Sequence, residues 1–178
     1  MLHTITLTRH GTALSRNVQA AHGLMREAFN GQPHQWAQPR HDIIIARSIT
    51  EPKMMRRYMS ELTSRDEQAT GKHVRFSFIG HPVRRRESSE TVLEGTAAIE
   101  WARRQLTPAL MIDEIAAQSM KPQRGYRWGR RLTLTAALFT GTGTVVDRGE
   151  LDEMLSTGVG RARGYGFGLL IVADREKP

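Results

Sequence analysis

Five glycines crowd the eleven residues from Gly158 to Gly168, and two arginines, Arg161 and Arg163, stand between the glycine pairs at either end. No other segment restricts the fold as much. Glycine adopts positive φ and lets backbones approach closely, so such a loop can present successive N–H groups to a phosphate while the arginines supply charge. The same pattern also describes a turn that only joins a helix to an edge strand. It is not a dinucleotide fingerprint, because that motif follows a strand and opens a helix. Here a helical pattern after Asp147 precedes the loop, and the apolar run Phe167 to Ala173 follows it as a predicted closing strand.

The segments upstream supply a fold for this loop to sit in. From His73 to His81, Val74, Phe76 and Phe78 alternate with His73, Arg75 and Ser77, the period of a strand with one buried face. Thr91-Val92-Leu93-Glu94 has capping-box spacing and opens a predicted helix to about Leu106, where Thr107-Pro108 stops it. Leu110 to Ala116 reads as a strand and Lys121 to Arg131 as a basic hairpin or loop. Leu132 to Phe139 returns as a strand, turns at Gly141 to Gly143 and continues to Val146. Asp147 caps a short helix with Glu150, Asp152 and Glu153 in its early turns, ending near Gly158. This β-α-β-β-α-β order is the ferredoxin-like arrangement.

The first part of the chain gives less. Leu2 to Arg9 predicts a strand, then a turn, then a helix from Val18 to Phe29 closed by Asn30-Gly31, with Val18, Ala21, Met25 and Ala28 on its buried stripe. Gly31 to Arg40, with two prolines, predicts a loop, Asp42 to Ile49 a β-branched strand, and Met55 to Leu62 a short helix. The polar stretch Thr63 to Lys72 reads as a linker. The expected fold class is α+β: two ferredoxin-like (RRM-like) domains in tandem, residues 1–70 and 71–178, the first partly degraded.

Charge narrows the partner. The chain carries 26 Lys and Arg against 18 Asp and Glu, a net +8 that suits a polyanion. From Ile115 to Val146 there are five basic residues (Lys121, Arg124, Arg127, Arg130, Arg131) and no acidic one. A second run, Arg84-Arg85-Arg86, lies between a strand pattern and a helix start. Each run also reads as a solvated loop. The absence of cysteine excludes disulfides, thiolate nucleophiles and cysteine-based zinc sites. The histidines (His3, His10, His22, His34, His41, His73, His81) show no HxH, HxxxH or carboxylate-paired spacing, so neither a metal nor another cofactor is expected. No apolar run approaches the roughly 20 residues of a bilayer span, and the alternating start Met1 to Arg9 lacks a signal-peptide core, which predicts a cytoplasmic protein.

The full glycine pattern resembles the signature of the CRISPR-associated repeat-processing endoribonucleases: Gly-apolar-Gly, five residues including Arg161 and Arg163, then Gly-apolar-Gly. Within that superfamily the chain is similar to the CasE type, the crRNA-processing subunit of the Cascade complex. Gly166 to Ala173 resembles the family's terminal strand, Ala136 to Phe139 with Val145-Val146-Asp147 its preceding strand pair, and Glu100 to Leu106 one of its helices. Asn17 to His22, followed by Leu24 and Ala28, resembles the helix that carries the family's catalytic histidine. Two departures stand out: Gln19 occupies the position where relatives often place a tyrosine, and only Arg75 remains in a strand usually richer in arginine.

The resemblance implies metal-independent cleavage of CRISPR repeat RNA, with the ribose 2′-OH attacking the adjacent phosphorus to leave a 2′,3′-cyclic phosphate and a 5′-OH. Such chemistry needs a base, an acid and cations or N–H donors for the charged intermediate. The implied site is His22 for proton transfer, in either role, Gln19 to orient the 2′-OH or the phosphate, and Arg163 to stabilise the phosphorane. Taken without the family pattern, His22 reads first as a structural residue of its helix. The implied RNA contacts are Lys121, Arg124, Arg127, Trp128, Arg130 and Arg131 in a hairpin that enters the groove of the repeat's stem-loop, together with Gly158, Gly160, Arg161, Gly164, Gly166 and Gly168 in the loop. Tyr126 or Trp128 can stack at a stem end or pack within the hairpin. The implied partners are the repeat RNA, the crRNA stem-loop and the other Cascade subunits. An alternative is a catalytically weak or inactive RNA-hairpin-binding subunit, and a third reading, a ferredoxin-like protein with no RNA role, leaves the glycine loop unexplained.

Overall fold

The computed structural model describes residues 1–67, 69–86, 89–127 and 129–175. Among these residues ten strands and four α-helices follow in the order β1 (Leu2–Leu7), α1 (Arg9–Ser15), α2 (Val18–Ala28), β2 (Gln35–Arg40), β3 (Ile43–Arg47), β4 (Met59–Arg65), β5 (His73–Gly80), β6 (Val83–Arg86), β7 (Ser89–Val92), α3 (Gly95–Leu106), β8 (Leu110–Arg127), β9 (Arg130–Val145), α4 (Arg148–Thr157) and β10 (Ile171–Asp174). Two antiparallel four-stranded sheets, β2-β3-β1-β4 and β10-β5-β9-β8, share the ferredoxin-like strand order, so the fold is α+β with that unit in tandem. In the first unit the crossover from β3 to β4, residues 48–58, forms a turn and no helix. The degradation expected there is confined to that helix, because the fourth strand is present.

Several segments differ from the sequence reading for physical reasons. The first strand stops at Leu7 because Thr8 caps a helix, its hydroxyl accepting from the Gly11 N–H at 3.2 Å, where a turn was expected. Met55 to Leu62 is not a helix: Met59 to Arg65 pairs with β1 from Leu7 to Leu2, and ladder hydrogen bonds override local helix propensity. The proline-bearing loop contains β2, an edge strand whose register shifts between Ala37 and Arg40, which accommodates Pro39. The capping box does not form. Thr91 and Val92 pair with Arg84 and Val83 in a small hairpin, and α3 begins at Gly95 with no side-chain cap from Glu94. The separate strands and basic loop after Leu110 are one ribbon, β8 and β9 paired from Leu110 with Val145 to Arg127 with Arg130.

Three buried clusters hold these elements. Val74, Phe76 and Phe78 on β5 face Trp101, Ala102 and Leu106 on α3 and Leu151 on α4. Ile5, Ile44 and Trp36 face Val18, Ala21, Met25 and Phe29. Between the sheets, Ala37, Ile79, Leu134, Ala136, Phe167 and Leu169 form a third cluster. Polar ties reinforce it. Arg47 on β3 donates to Glu67 (Nε to Oε2, 2.6 Å), to the Leu155 carbonyl (2.8 Å) and to the Leu170 carbonyl (2.5 Å), and Gln35 donates to Leu155 as well (2.9 Å). Leu155 lies in the last turn of α4, where helix carbonyls lack intrahelical partners, so these donors fasten the end of α4, and the glycine loop beyond it, to the first sheet.

Candidate active site and RNA-binding surface

The helix bearing His22 is built locally. Asn17 accepts a hydrogen bond from the Gln19 N–H at 3.0 Å, a cap that stabilises the helix start by about 1 kcal/mol. Val18, Ala21, Leu24, Met25 and Ala28 bury one face of α2, and Asn30 and Gly31, at φ 51° and 72°, turn the chain out of it. His22 lies at the border of that face, with Nδ1 buried and unpartnered. Nε2 is therefore the nitrogen in a position to exchange a proton with a ligand.

The glycine loop wraps around His22. A 3-10 turn, Arg163–Tyr165, sets the Tyr165 ring 5.9 Å from the His22 ring, and a Cβ on Gly164 would lie 3.6 Å from His22 Cε1. The glycine pairs at the loop's ends hold its shape. Gly158, Gly160, Gly166 and Gly168 all have φ between 74° and 83°. Val159 N–H donates to the Gly168 carbonyl at 2.8 Å, and Gly168 N–H to the Ile79 carbonyl at 2.7 Å. Trp101 stands over Gly160, and the buried Trp36 over Gly166. Gly158, Gly166 and Gly168 are buried, while Arg161, Arg163 and Gly164 are exposed at the tip. Arg163 donates to the Gly160 carbonyl through Nε and to the Thr157 carbonyl through Nη1, both at 2.9 Å, which fixes its guanidinium over the end of α4. Arg161 turns the other way, toward Glu90, 4.0 Å away.

His22, Arg163 and Gly164 line a cleft of about 650 Å³ together with His34, Trp36 and Arg47. These last three carry no site pattern in the sequence; they fall in the proline-bearing segment expected to be a loop or on the strand after it. Their only signal was a tryptophan between two prolines, unusual for a solvated loop. His34 stacks on Phe29 (4.7 Å, 17° between planes), and its Nδ1 bonds the Gln32 carbonyl at 2.8 Å. Burial holds the His34 pKa below the ordinary histidine value, the Gln32 carbonyl opposes that shift, and the charge of His22 adds to it. Among the described residues no three His, Asp or Glu side chains converge as a metal-binding group.

Gln19, one turn before His22, belongs to a different contact. The basic ribbon lies across the start of α2, with a bridge from Arg124 to Asn17. A Cβ at Gly125 would stand 2.8 Å from Asn17 Oδ1 and 2.9 Å from Val18 Cγ1, so glycine is what admits the ribbon there. Gln19 Oε1 is buried and unpartnered beside it. The strand pleat places Arg124, Tyr126 and Arg131 on the face opposite Gly125 and Leu132, and all three are exposed, Tyr126 by 64%. Lys121, beyond a register shift, and Arg130, at the tip, are exposed as well. Arg127 is the last residue of β8, and Trp128 lies outside the described residues.

The family profile described as "CRISPR associated protein" matches residues 2–174. The chain belongs to that family. Its fold is that of Cas6e from Escherichia coli, with a TM-score of 0.79 at 20% identity over 98% of this chain and 100% of the other. Thermus thermophilus Cse3 bound to an RNA representing a pre-cleavage complex superposes with a TM-score of 0.78 at 20% identity, covering 97% and 98%. A chain of a CRISPR RNA-guided surveillance complex gives a TM-score of 0.63 at 19% identity, covering 98% and 100%. Among curated proteins no sequence matches significantly. No helix among the described residues is long and apolar enough to cross a membrane.

Proposed function

We propose that this family member is a metal-independent endoribonuclease that binds the stem-loop of CRISPR repeat RNA, cuts pre-crRNA to mature crRNA and stays bound as a Cascade subunit in the cytoplasm. The observation that carries the reading is the placement of His22 against the Arg163–Tyr165 turn in a cleft, on a helix whose start carries the exposed basic ribbon. The solved Cse3 is an endoribonuclease bound to RNA, and another relative in fold sits in an RNA-guided surveillance complex. Residues 1–70 contribute the catalytic helix, and residues 71–178 contribute the ribbon and the glycine loop.

The ribose 2′-oxygen attacks the neighbouring phosphorus and the bond to the 5′-oxygen breaks, which requires one proton removed and one delivered. His22 transfers a proton through Nε2. Arg163, pinned by two loop carbonyls, turns its remaining N–H groups to the phosphorane oxygens. Gln19, held against the ribbon and outside the cleft, is not assigned the orienting role on the 2′-OH or the phosphate that the family likeness implied. Lys121, Arg124, Arg127, Arg130 and Arg131 hold the stem's phosphates, Tyr126 or Trp128 stacks at its end, and Arg161 and the exposed Gly164 meet RNA at the loop tip. The buried glycines Gly158, Gly166 and Gly168, with Gly160, serve that contact by holding the tip in place.

The test is incubation of the protein with its own repeat RNA in EDTA, alongside His22→Ala and an RNA carrying a 2′-deoxy sugar at the scissile position. Cleavage by the unaltered protein alone, lost in both controls, is expected. Uncut RNA would refute the nuclease reading, and cutting that survives His22→Ala would remove His22 from the site. A second reading, an RNA-hairpin-binding subunit with weak or no catalysis, is favoured by Gln19, whose amide exchanges no proton where relatives often carry a tyrosine.

A further inference from the structure

Proton transfer during 2′-OH attack needs two groups, and α2 offers one imidazole and an amide. A second imidazole lines the same cleft. His34, just before β2, lines this cleft together with Arg163 and Gly164, and is partly buried rather than solvated. Its ring is fixed in two ways: stacking on Phe29 sets the plane, and the Gln32 carbonyl, which can only accept, requires Nδ1 to carry the hydrogen. In the neutral ring Nε2 then holds the lone pair, the form a general base needs. A ring whose orientation and tautomer are both determined is more than packing against Phe29 requires.

We propose that His34 is the general base of this cleft and His22 its general acid, an assignment that rests on the nuclease reading above. His34 Nε2 removes the 2′-hydroxyl proton as the 2′-oxygen bonds to phosphorus. The bond from phosphorus to the 5′-oxygen breaks, and the His22 imidazolium gives its Nε2 proton to that oxygen. The products are the 2′,3′-cyclic phosphate and the 5′-OH, and exchange with water returns each ring to its starting form. The environment suits the base role, because burial, and after it the charge of His22, holds the His34 pKa below the ordinary histidine value and so favours its neutral ring. Arg47, Glu67, Asp152, Arg163 and the amino group of Met1 are the other charged groups on the cleft wall. The two histidines take the roles for which Gln19 is chemically unfit.

A leaving-group substitution separates the roles. With sulfur in place of the bridging 5′-oxygen, departure no longer needs an acid, so a variant lacking the acid recovers and one lacking the base does not. On ordinary repeat RNA, His22→Ala and His34→Ala should each slow cleavage by roughly 10²- to 10⁴-fold. On the 5′-thio RNA, His22→Ala should return to within about tenfold of the unaltered protein, while His34→Ala and His34→Gln stay slow. His34 variants that cut ordinary RNA at the normal rate would overturn the proposal. So would rescue of His34→Ala, but not of His22→Ala, by the thio substrate. Binding of uncleavable 2′-deoxy RNA is measured in parallel, and if both His34 variants lose it, His34 belongs to the scaffold and the proposal falls. Failure of the unaltered protein to cut ordinary RNA would instead reject the nuclease reading itself.

Discussion

Gly164 and Gly166 are two residues apart in the same loop, yet an alanine should be costly at Gly166 and nearly neutral for stability at Gly164. At Gly166 the backbone sits at φ 82°, ψ 28°, where a side chain costs about 1–2 kcal/mol. The added Cβ would also stand 2.7, 2.9 and 3.0 Å from three carbons of the Trp36 indole. That ring is only 1% exposed and packed among Ile5, Ile44 and Phe29, so it cannot swing aside, and overpacking adds about 1–3 kcal/mol. The sum is about 2–5 kcal/mol, provided the two costs add. At Gly164 φ is not positive, and the nearest atoms to a new Cβ are His22 Cε1 at 3.6 Å and Nδ1 at 3.8 Å, ordinary contact distances. The expected cost is under about 0.5 kcal/mol. In urea, with a slope of about 2 kcal/mol per molar, Gly166→Ala should lower the unfolding midpoint by roughly 1–2.5 M, while Gly164→Ala leaves it nearly unchanged. Equal midpoints for the two variants would refute the argument that Trp36 and a left-handed backbone, rather than RNA, dictate glycine at position 166.

Arg124→Ala and Arg131→Ala, on the open face of the ribbon, should weaken binding of the repeat stem-loop. Each should also reduce the slope of log Kd against log salt by about one for every phosphate it no longer neutralises; unchanged slopes would place the RNA elsewhere. Arg47→Ala leaves the Glu67 carboxylate, 13% exposed, without its partner and should cost about 3–5 kcal/mol. Arg47→Met with Glu67→Gln should cost less than the single change, measurable by the same urea titration. His3 is fully buried, and burial foremost, with the N-terminal ammonium, holds its pKa below the ordinary 6.5. Because the unfolded chain takes up this proton more readily, the contribution of neutral His3 is complete above pH 6.5 and diminishes as pH falls through the folded value. His3→Gln should therefore flatten the acid side of a stability–pH curve, and an unaltered slope would count against the burial argument.

The elements legible in sequence alone are those whose signals are local. Alternation along His73 to His81 specified a strand, Asn17 and the apolar stripe specified α2, Asp147 capped α4, and the pair Asn30-Gly31 ended a helix with left-handed backbone. In each, the residues that fix the conformation are neighbours of the backbone they fix. Segments resolved by partners distant in the chain were misread. Met59 to Leu62 carries no strand alternation and extends only because β1 offers it a ladder, and Thr91-Val92 forgoes a helix cap to pair with Val83-Arg84. The candidate site divides in the same way. His22, Arg163 and the basic ribbon were legible through composition and family likeness. His34 lies just before β2, Trp36 on β2 and Arg47 on β3, and none has a spacing that announces a site. Only the packing of the two sheets, with Arg47 and Gln35 tying α4 to the first, carries them to the wall of one cleft. Local pattern thus settles which chemical groups the chain holds and which elements bear them. Which imidazoles share a cavity follows from long-range packing, because that packing sets the separation between rings and no local pattern encodes it.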